Sequence, residues 1–428
     1  MASEKKAVGI LVGGGPAPGI NGVISAAAIE AINRGYKVYG IHRGFSGLVK
    51  GDTSNIKELS ISDVSRIHSE GGSVLGTSRT NPKASKDALT NVVNSLRELN
   101  IGYLVTIGGD DTASSAWAIS QAAQGQVAVC HVPKTIDNDL PLPGKKSTFG
   151  FQTARDVGTR IVETLMVDAK TTGRWYLVVA MGRKAGHLAL GIGMSAGATL
   201  SLIPEEFKDE QVKLRSVVDI IVGCILKRLA GDRPHGVVVL AEGLIEKIDP
   251  NSIPELESAE RDPHGHVRYA EIEFGNIVKN AVRNRLKEFG VELTIVAKDV
   301  GYELRCHEPN PFDIEYTRTL GYGAIDFLLG GGSNAMIALI GDSLEPIPFE
   351  DFIDKASGRA QVRVVDTDSV VYQVARKYQI RLAEHHFENS DLMARMALVT
   401  NKTVDELKRE LKDSASMIKA YSQRFRDH

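Results

Sequence analysis

The stretch Pro133-Lys134-Thr135-Ile136-Asp137-Asn138-Asp139 follows the apolar run at 127–132, and Gly108-Gly109-Asp110-Asp111 follows the apolar run at 103–107. Both runs are typical of buried strands, and polar residues directly after parallel strands collect at the sheet edge where α/β proteins bind ligands. Carboxylates beside glycines and a lysine suit a metal ion and a polyphosphate, with one base to activate a hydroxyl. Two solvated turns would also contain Asp and Asn. Finding both stretches in one chain favours a site.

A third glycine-rich stretch strengthens this interpretation. Residues 13–22, Gly-Gly-Gly-Pro-Ala-Pro-Gly-Ile-Asn-Gly, follow a predicted strand at 7–12 and open a predicted helix at 20–33. Glycines let the backbone approach an anion, and a helix N-terminus offers free N–H groups. The loop is neither a Walker A motif nor a clean G-x-G-x-x-G motif, so on its own it also fits a tight structural turn.

Strand-like and helix-like runs alternate along most of the chain, which predicts parallel sheets with helices on both faces. Predicted strands are at 7–12, 37–41, 103–107, 127–132, 175–180, 198–203, 236–241, 293–296 and 335–340. Predicted helices are at 20–33, 84–99, 112–123, 152–169, 184–195, 212–229, 270–288 and 314–329.

Two further segments stand outside this alternation. The polar residues 249–268 are interpreted as a surface insertion. Near the C-terminus, Thr403 and Glu406 form a capping-box pattern before a helical apolar stripe, which predicts a packing face. The stripe consists of Val404, Leu407, Leu411, Met417, Ile418, Tyr421 and Phe425.

The length, net charge and cysteine content of the chain limit its possible functions. The 428 residues suffice for two or three domains, and a net charge of -2 gives no argument for a nucleic-acid partner or an anionic membrane surface. The three cysteines lack metal-ligand spacing, so we expect a reduced, cytoplasmic compartment. Residues 188–203 are too short and too polar to span a bilayer, and the first strand follows the N-terminus so closely that we expect no signal peptide.

Other strand ends carry candidate ligand-binding groups. Arg79 lies in the polar loop at 75–80, where a guanidinium could clamp a phosphate. Met181-Gly182-Arg183 and Glu242 follow two predicted strands, and residues 301–305 follow a third. Arginine and tyrosine suit a sugar phosphate and glutamate suits its hydroxyls, although each alone also fits a surface turn.

In these motifs, in this order, the chain resembles the phosphofructokinases, and specifically their pyrophosphate-dependent branch. The resemblance extends from about residue 7 to about residue 352. It implies two Rossmann-like parallel-sheet α/β domains with the active site in the cleft between them. The implied phosphoryl-donor domain covers 1–150 and is rejoined by about 306–355, the sugar domain covers 151–305, and a C-terminal helical segment covers 356–428.

The resemblance implies phosphoryl transfer to the 1-hydroxyl of fructose 6-phosphate. Position by position, Asp137 corresponds to the base on that hydroxyl and Thr135 to a contact of the transferred phosphoryl group. Asp110 would organise Mg²⁺, with Asp139 in support. Gly14 and Arg79 would hold the phosphoryl donor.

The resemblance also implies a sugar site. It would be lined by Met181, Gly182, Arg183 and Glu242. Arg305, together with Arg174 of another subunit, would take the 6-phosphate, so the implied assembly is a homodimer or homotetramer. Tyr302 stands where family members often have His. Lys298 is two residues away from the position of a second neighbour-subunit arginine and is a weak candidate.

Two positions bear on the donor. In the familiar bacterial ATP-dependent enzymes, glycines stand where this chain has Asp111 and Lys134. The Asp111 side chain would occupy the space of an ATP α-phosphate and repel its charge, whereas Lys134 would neutralise pyrophosphate or the leaving phosphate. The resemblance therefore implies pyrophosphate as donor. An ATP-dependent phosphofructokinase and a non-catalytic phosphosugar-binding subunit remain alternatives. A dinucleotide dehydrogenase is disfavoured because the second strand ends without an acidic residue.

Overall fold

The computed structural model describes residues 5–253 and 272–418. Within them the chain divides into two compact units. The first unit consists of Met1–Ala154 and Tyr302–Arg363, and the second of Arg155–Gly301 and Val364–His428. The domain boundaries expected near residues 150, 305 and 355 concern domains that fold as units, and they stay a prediction.

The described strands and helices follow in chain order. The strands are β1 (Ala7–Val12), β2 (Val38–Ile41), β3 (Ile56–Glu58), β4 (Ile101–Gly108), β5 (Ala128–Pro133), β6 (Trp175–Ala180), β7 (Leu200–Leu202), β8 (Gly236–Ala241), β9 (Ile295–Val300), β10 (Ala335–Ile340), β11 (Ser343–Pro348), β12 (Ile353–Asp354) and β13 (Arg359–Ala360). The helices are α1 (Ile20–Asn33), α2 (Ile61–Val64), α3 (Lys86–Glu98), α4 (Asp110–Ala123), α5 (Phe151–Thr172), α6 (His187–Ala196), α7 (Leu214–Leu229), α8 (Leu244–Lys247), α9 (Phe274–Glu288), α10 (Tyr302–Arg305), α11 (Pro311–Leu329), α12 (Phe349–Phe352), α13 (Val370–Lys377), α14 (Ser390–Leu398) and α15 (Val404–Ser416).

The first unit is built on a sheet with the strand order β11-β10-β5-β4-β1-β2-β3. Its inner strands are parallel, and both edges, β11 and β3, are antiparallel. The inner strand β1 is buried on both faces because helices cover both sides of the sheet. Val8 and Ile10 pack in one core layer and Ala7 and Leu11 in the other. This arrangement places the ends of β1, β4 and β5, with their glycines and carboxylates, side by side.

The second unit contains a parallel sheet with the strand order β7-β8-β6-β9. Its core includes Trp175 of β6 and the fully buried Cys224 of α7. Leu407 and Leu411 of α15 belong to the same core, and Thr403 caps that helix in a capping box with Glu406. The predicted packing face of the tail is therefore confirmed for Val404, Leu407, Leu411 and Ile418, whereas Met417 is not part of this core. Tyr421 and Phe425 lie outside the described residues, as do residues 254–268 of the proposed insertion.

The structure differs from the predicted elements mainly at their ends. Helix α4 begins at Asp110 instead of 112, so both acids lie in its first turn. Strand β9 runs on to Val300, so Gly301 directly follows a strand. The antiparallel edge strands β3 and β11 were not predicted, because both are short or rich in proline and charge and lack a clear alternation. In the described part of the chain, no helix is long and apolar enough to cross a membrane.

Candidate active site

The glycine loop after β1 lies against the start of α4 and against the loop that carries Arg79. A Cβ at Gly13 would lie 2.5 Å from Thr112 Oγ1, so only glycine fits there. The N–H of Gly14 donates to the carbonyl of Ser78 at 2.9 Å, and Gly14 adopts φ 81°. Arg79 itself is exposed. The predicted donor residues Gly14 and Arg79 therefore come from two loops tied together by main-chain hydrogen bonds.

The two acids after β4 lie at a helix N-terminus. Asp110 and Asp111 occupy the first turn of α4, after Gly109 at the N-cap, with Asp110 half-buried and Asp111 exposed. The carbonyl of Gly108 accepts two hydrogen bonds, from the main-chain N–H of Lys134 at 2.8 Å and from Nε2 of the buried His131 ring at 3.0 Å. The N–H groups in the first turn of a helix favour anions, and a metal bound by Asp110 would add positive charge there.

Lys134 is the cation at the centre of this edge. Its side chain is buried, and its ammonium donates to the carbonyl oxygen of Gly15 in the glycine loop. The pKa of Lys134 is lowered to about 8, mainly by burial and also by the nearby Arg305, while the carboxylates of Asp137, Asp139 and Asp110 oppose the shift. A buried ammonium with protons left to donate can neutralise a phosphate with little reorganisation.

The residues after Lys134 form a loop with its own hydrogen bonds. The N–H of Asp137 donates to Thr135 Oγ1 at 3.0 Å, and Thr148 Oγ1 donates to the Thr135 carbonyl at 2.7 Å. Asn138 takes φ 57°, in the left-handed region. Asp137 is half-buried, whereas Asp139 is only 8% exposed. A half-buried carboxylate keeps access to a substrate, which suits Asp137 better than Asp139 as the base.

Two residues assigned by resemblance to the sugar phosphate also lie in the first unit. The guanidinium carbon of Arg305 lies 3.3 Å from the position of a Cβ on Gly15 and 5.4 Å from the ring centre of Tyr302. Tyr302 is 78% exposed. The structure therefore brings Arg305 close to the glycine loop and to Lys134.

The second unit brings together the remaining predicted sugar residues at the ends of β6 and β8. Glu242 accepts from the N–H of Gly182 at 3.2 Å, and Gly182 takes φ 133°. Arg183 pairs with Glu246 at 2.9 Å. Met181 is held by its N–H, which donates to the carbonyl of Val300 at 3.0 Å. The adjacent parallel strands β6 and β8 thus present an arginine, a carboxylate and a thioether at one edge of the sheet.

Arg174 lies at the opposite end of β6, just before Trp175. Its Nε is 3.7 Å from Asp168, and its side chain is 36% exposed. This ion pair is long and half-buried, so it holds the guanidinium only weakly. Lys298 is exposed on β9, paired in register with Val178.

The phosphofructokinase family model matches residues 7–328. The chain belongs to the phosphofructokinase family.

Two curated members of the phosphofructokinase family resemble the chain over nearly its whole length. It is 54% identical to the pyrophosphate–fructose 6-phosphate 1-phosphotransferase of Thermotoga maritima, over 90% of this chain and 93% of that protein. It is 47% identical to the protein of the same name from Naegleria fowleri, over 95% of each chain. Among solved structures, the phosphofructokinase of Saccharomyces cerevisiae matches with a TM-score of 0.66 at 21% identity. The match covers 96% of this chain but only 50% of the yeast chain, and it shows the fold alone.

Within this phosphofructokinase, the described residues contain no group of three or more His, Cys, Asp or Glu side chains arranged to hold a metal ion. A phosphoryl-transfer site does not need such a cage, because Mg²⁺ commonly takes one or two carboxylates together with substrate phosphates and water. Asp110, half-buried at an anion-binding helix N-terminus, fits that mode.

Two cations that lie near the predicted site residues were not predicted from the sequence. Lys83 donates to Ser114 Oγ of α4; burial lowers its pKa, while Asp111 acts in the opposite direction. The sequence did contain one signal for Lys83, because it lies only four residues after the predicted phosphate-binding Arg79. Arg363 donates to the loop around Asn138 and lies 225 residues away in sequence, so no local pattern could have indicated it.

Proposed function

We propose that the protein transfers a phosphoryl group from pyrophosphate to the 1-hydroxyl of fructose 6-phosphate, giving fructose 1,6-bisphosphate and phosphate. The observation that carries the proposal is the pair at the donor edge: Asp111 exposed in the first turn of α4, and the ammonium of Lys134 bonded to the glycine loop. The names of the two similar curated proteins support the same donor and acceptor.

The donor side of the proposed reaction depends on positioning and charge. Gly14 and Arg79 bind the pyrophosphate, and Lys134 neutralises the phosphate that leaves. The ammonium of Lys134 has three protons and uses one on the Gly15 carbonyl, so it keeps donors for phosphate oxygens. Asp111 excludes a donor that continues into a nucleotide, because its carboxylate would repel a further phosphate.

The acceptor side of the proposed reaction needs a general base and residues that bind the sugar phosphate. Asp137 takes the proton of the 1-hydroxyl, and Thr135 contacts the phosphoryl group in transit. Met181, Gly182, Arg183 and Glu242 bind the sugar, while Tyr302 and Arg305 bind its 6-phosphate. Arg174 completes that phosphate site from a neighbouring subunit of a homodimer or homotetramer.

The proposed cofactor is Mg²⁺. Asp110 would hold it, with Asp139 nearby in support, and the substrate phosphates would complete its oxygen ligands. The ion supplies charge neutralisation for the phosphates. The proposed setting is the cytoplasm and the glycolytic and gluconeogenic interconversion of the two sugar phosphates. Both directions are accessible, because pyrophosphate and the product phosphoester are closer in energy than ATP and that ester.

The test is turnover by the purified protein with Mg²⁺ and fructose 6-phosphate, given pyrophosphate or ATP in parallel. Turnover with pyrophosphate supports the proposal. Turnover with ATP alone would instead assign the protein to the ATP-dependent enzymes. Tight binding of fructose 6-phosphate with neither donor consumed would assign a phosphosugar-binding role.

A further inference from the structure

The loop between β5 and α5 carries Asp137 but has little regular structure. Residues 134–150 contain one 3-10 turn, Pro143–Lys145, and no α-helix. Backbone N–H and C=O groups in such a loop must find partners outside a helix or ladder. The direction of the Asp137 carboxylate therefore depends on whatever fixes this main chain.

Arg363 supplies several of those partners. Its Nε and Nη2 both donate to the carbonyl of Asn138, at 3.1 and 2.9 Å, and its Nη1 donates to the carbonyl of Lys146 at 2.6 Å. Nη2 also donates to the Asn138 side-chain oxygen. The main-chain N–H of Arg363 donates to the carbonyl of Asp139 at 2.7 Å. One residue thus bridges residues 138–139 and residue 146 of the loop.

The residue that Arg363 holds has an unusual backbone. Asn138 is buried and takes φ 57°, a conformation that asparagine tolerates better than most residues but that still needs support. Its side-chain oxygen also accepts from the N–H of Thr148 at 3.1 Å. Asn138 lies between Asp137 and Asp139, so its backbone angles set the directions of both carboxylates.

We infer that Arg363 is a positioning residue, which holds Asn138 in the left-handed conformation and so aims the Asp137 carboxylate at the acceptor hydroxyl. The inference rests on the proposed function for the identity of the base. Arg363 lies beyond residues 7–328, the part of the chain that the family model matches. It acts through Asn138 and not on the reacting atoms.

The fork of the guanidinium makes the inference testable. Lysine carries the same charge but cannot bridge the carbonyls of Asn138 and Lys146 together. We therefore expect Arg363→Lys and Arg363→Ala to lower kcat by about 10-fold and about 100-fold, because small displacements of a catalytic group are costly. KM for both substrates should stay within about threefold, because Arg363 is not among the residues proposed to bind either substrate.

The matched control is Arg34→Lys with Arg34→Ala. Arg34 also bridges two partners, Glu30 and Asp326 at 2.7 Å each, but lies after α1 and away from the loop. These variants should keep wild-type kcat. Added guanidinium ion should restore part of the activity of Arg363→Ala, and hydrogen exchange should speed up at the amides of 139–148.

Kinetic ratios use whichever donor supports turnover, so failure of the donor assignment leaves this test intact. If neither pyrophosphate nor ATP supports turnover by the wild type, the proposed function fails. Hydrogen exchange alone then tests whether Arg363 orders the loop. Wild-type kcat in folded Arg363→Ala, or unchanged exchange at 139–148, would overturn the inference. A fall in kcat that only follows the unfolded fraction would also overturn it. If Arg363→Ala does not fold, Arg363→Lys carries the same test.

Discussion

Lys134 donates a hydrogen bond from its ammonium to the main-chain carbonyl of Gly15, and so joins the end of β5 to the glycine loop after β1. The bond stabilises the charged ammonium at this edge of the sheet, where burial by itself favours the neutral amine. We therefore expect the protonation of Lys134 to make donor binding depend on pH.

We predict that kcat/KM for pyrophosphate falls as the pH rises through about 8, the lowered pKa of Lys134 in the free enzyme. Above that pH the side chain loses its charge and no longer attracts phosphate. In Lys134→Arg the guanidinium stays charged, so the fall should disappear from this range. Comparing the two profiles cancels the ionisation of the substrates. Profiles that fall together near pH 8 would contradict the assignment.

The lowered pKa of Lys134 also affects stability. Rising pH should lower kcat/KM for pyrophosphate but raise the free energy of unfolding. The pKa of Lys134 is about 8 in the folded state against 10.5 for an ordinary lysine, so the folded state binds fewer protons between these values. The free energy of unfolding should therefore gain from this residue as the pH rises from about 8 to 10.5, and lose that gain as the pH falls again.

The second prediction concerns the base. Asp137→Asn should lower kcat by about 100-fold or more and leave both KM values nearly unchanged, because the lost proton transfer belongs to the transition state. Asp139→Asn is the matched comparison two residues away and should cost less. Steady-state kinetics at saturating Mg²⁺ measure both variants. If Asp137→Asn turns over normally and Asp139→Asn does not, the base is Asp139.

A third prediction addresses the subunit assembly. Arg174→Ala should raise KM for fructose 6-phosphate by about tenfold or more and KM for pyrophosphate much less, because only the sugar phosphate would lose a charged partner. Mixing Arg174→Ala with Asp137→Asn subunits should restore activity, since one hybrid site would contain both wild-type groups. A fully active monomer, or no recovery once hybrids are shown to form, would exclude a shared site.

Much of this fold was predictable because buried parallel strands leave a strong signal. Strand β1 and helix α1 have the predicted bounds, Ala7–Val12 and Ile20–Asn33, since a continuous apolar run and a glycine-closed helix are unambiguous. The start of α4 was misplaced by two residues. Gly109 caps the helix without a side-chain hydrogen bond, so the usual Ser, Thr, Asp or Asn signal is absent.

The site was predictable only where its residues follow strands in sequence. Asp110, Lys134 and Asp137 come from neighbouring strand ends, which the βα pattern already placed together. Arg363 was not predictable, because its hydrogen bonds to Asn138 join distant parts of the chain through main-chain carbonyls. Carbonyl groups are the same in every residue and leave no trace in a sequence.

A fourth prediction separates the size of Asp111 from its charge. Asp111→Gly removes both, whereas Asp111→Asn removes the charge at nearly constant volume. We expect Asp111→Gly to lower the preference for pyrophosphate over ATP by about tenfold or more, as the repulsive element is removed. An intermediate ratio for Asp111→Asn would assign the remainder to volume. Equal ratios for the wild type and Asp111→Gly would show that the donor is selected elsewhere.

The choice of donor is measured by one ratio in the wild-type protein: kcat/KM for pyrophosphate divided by kcat/KM for ATP, at saturating fructose 6-phosphate and Mg²⁺. We expect a ratio of at least about 100, because Asp111 would repel the longer donor and Lys134 would neutralise the shorter one. Product fructose 1,6-bisphosphate and phosphate should also run the reaction backwards to pyrophosphate. A ratio below one would show that ATP, and not pyrophosphate, is the preferred donor.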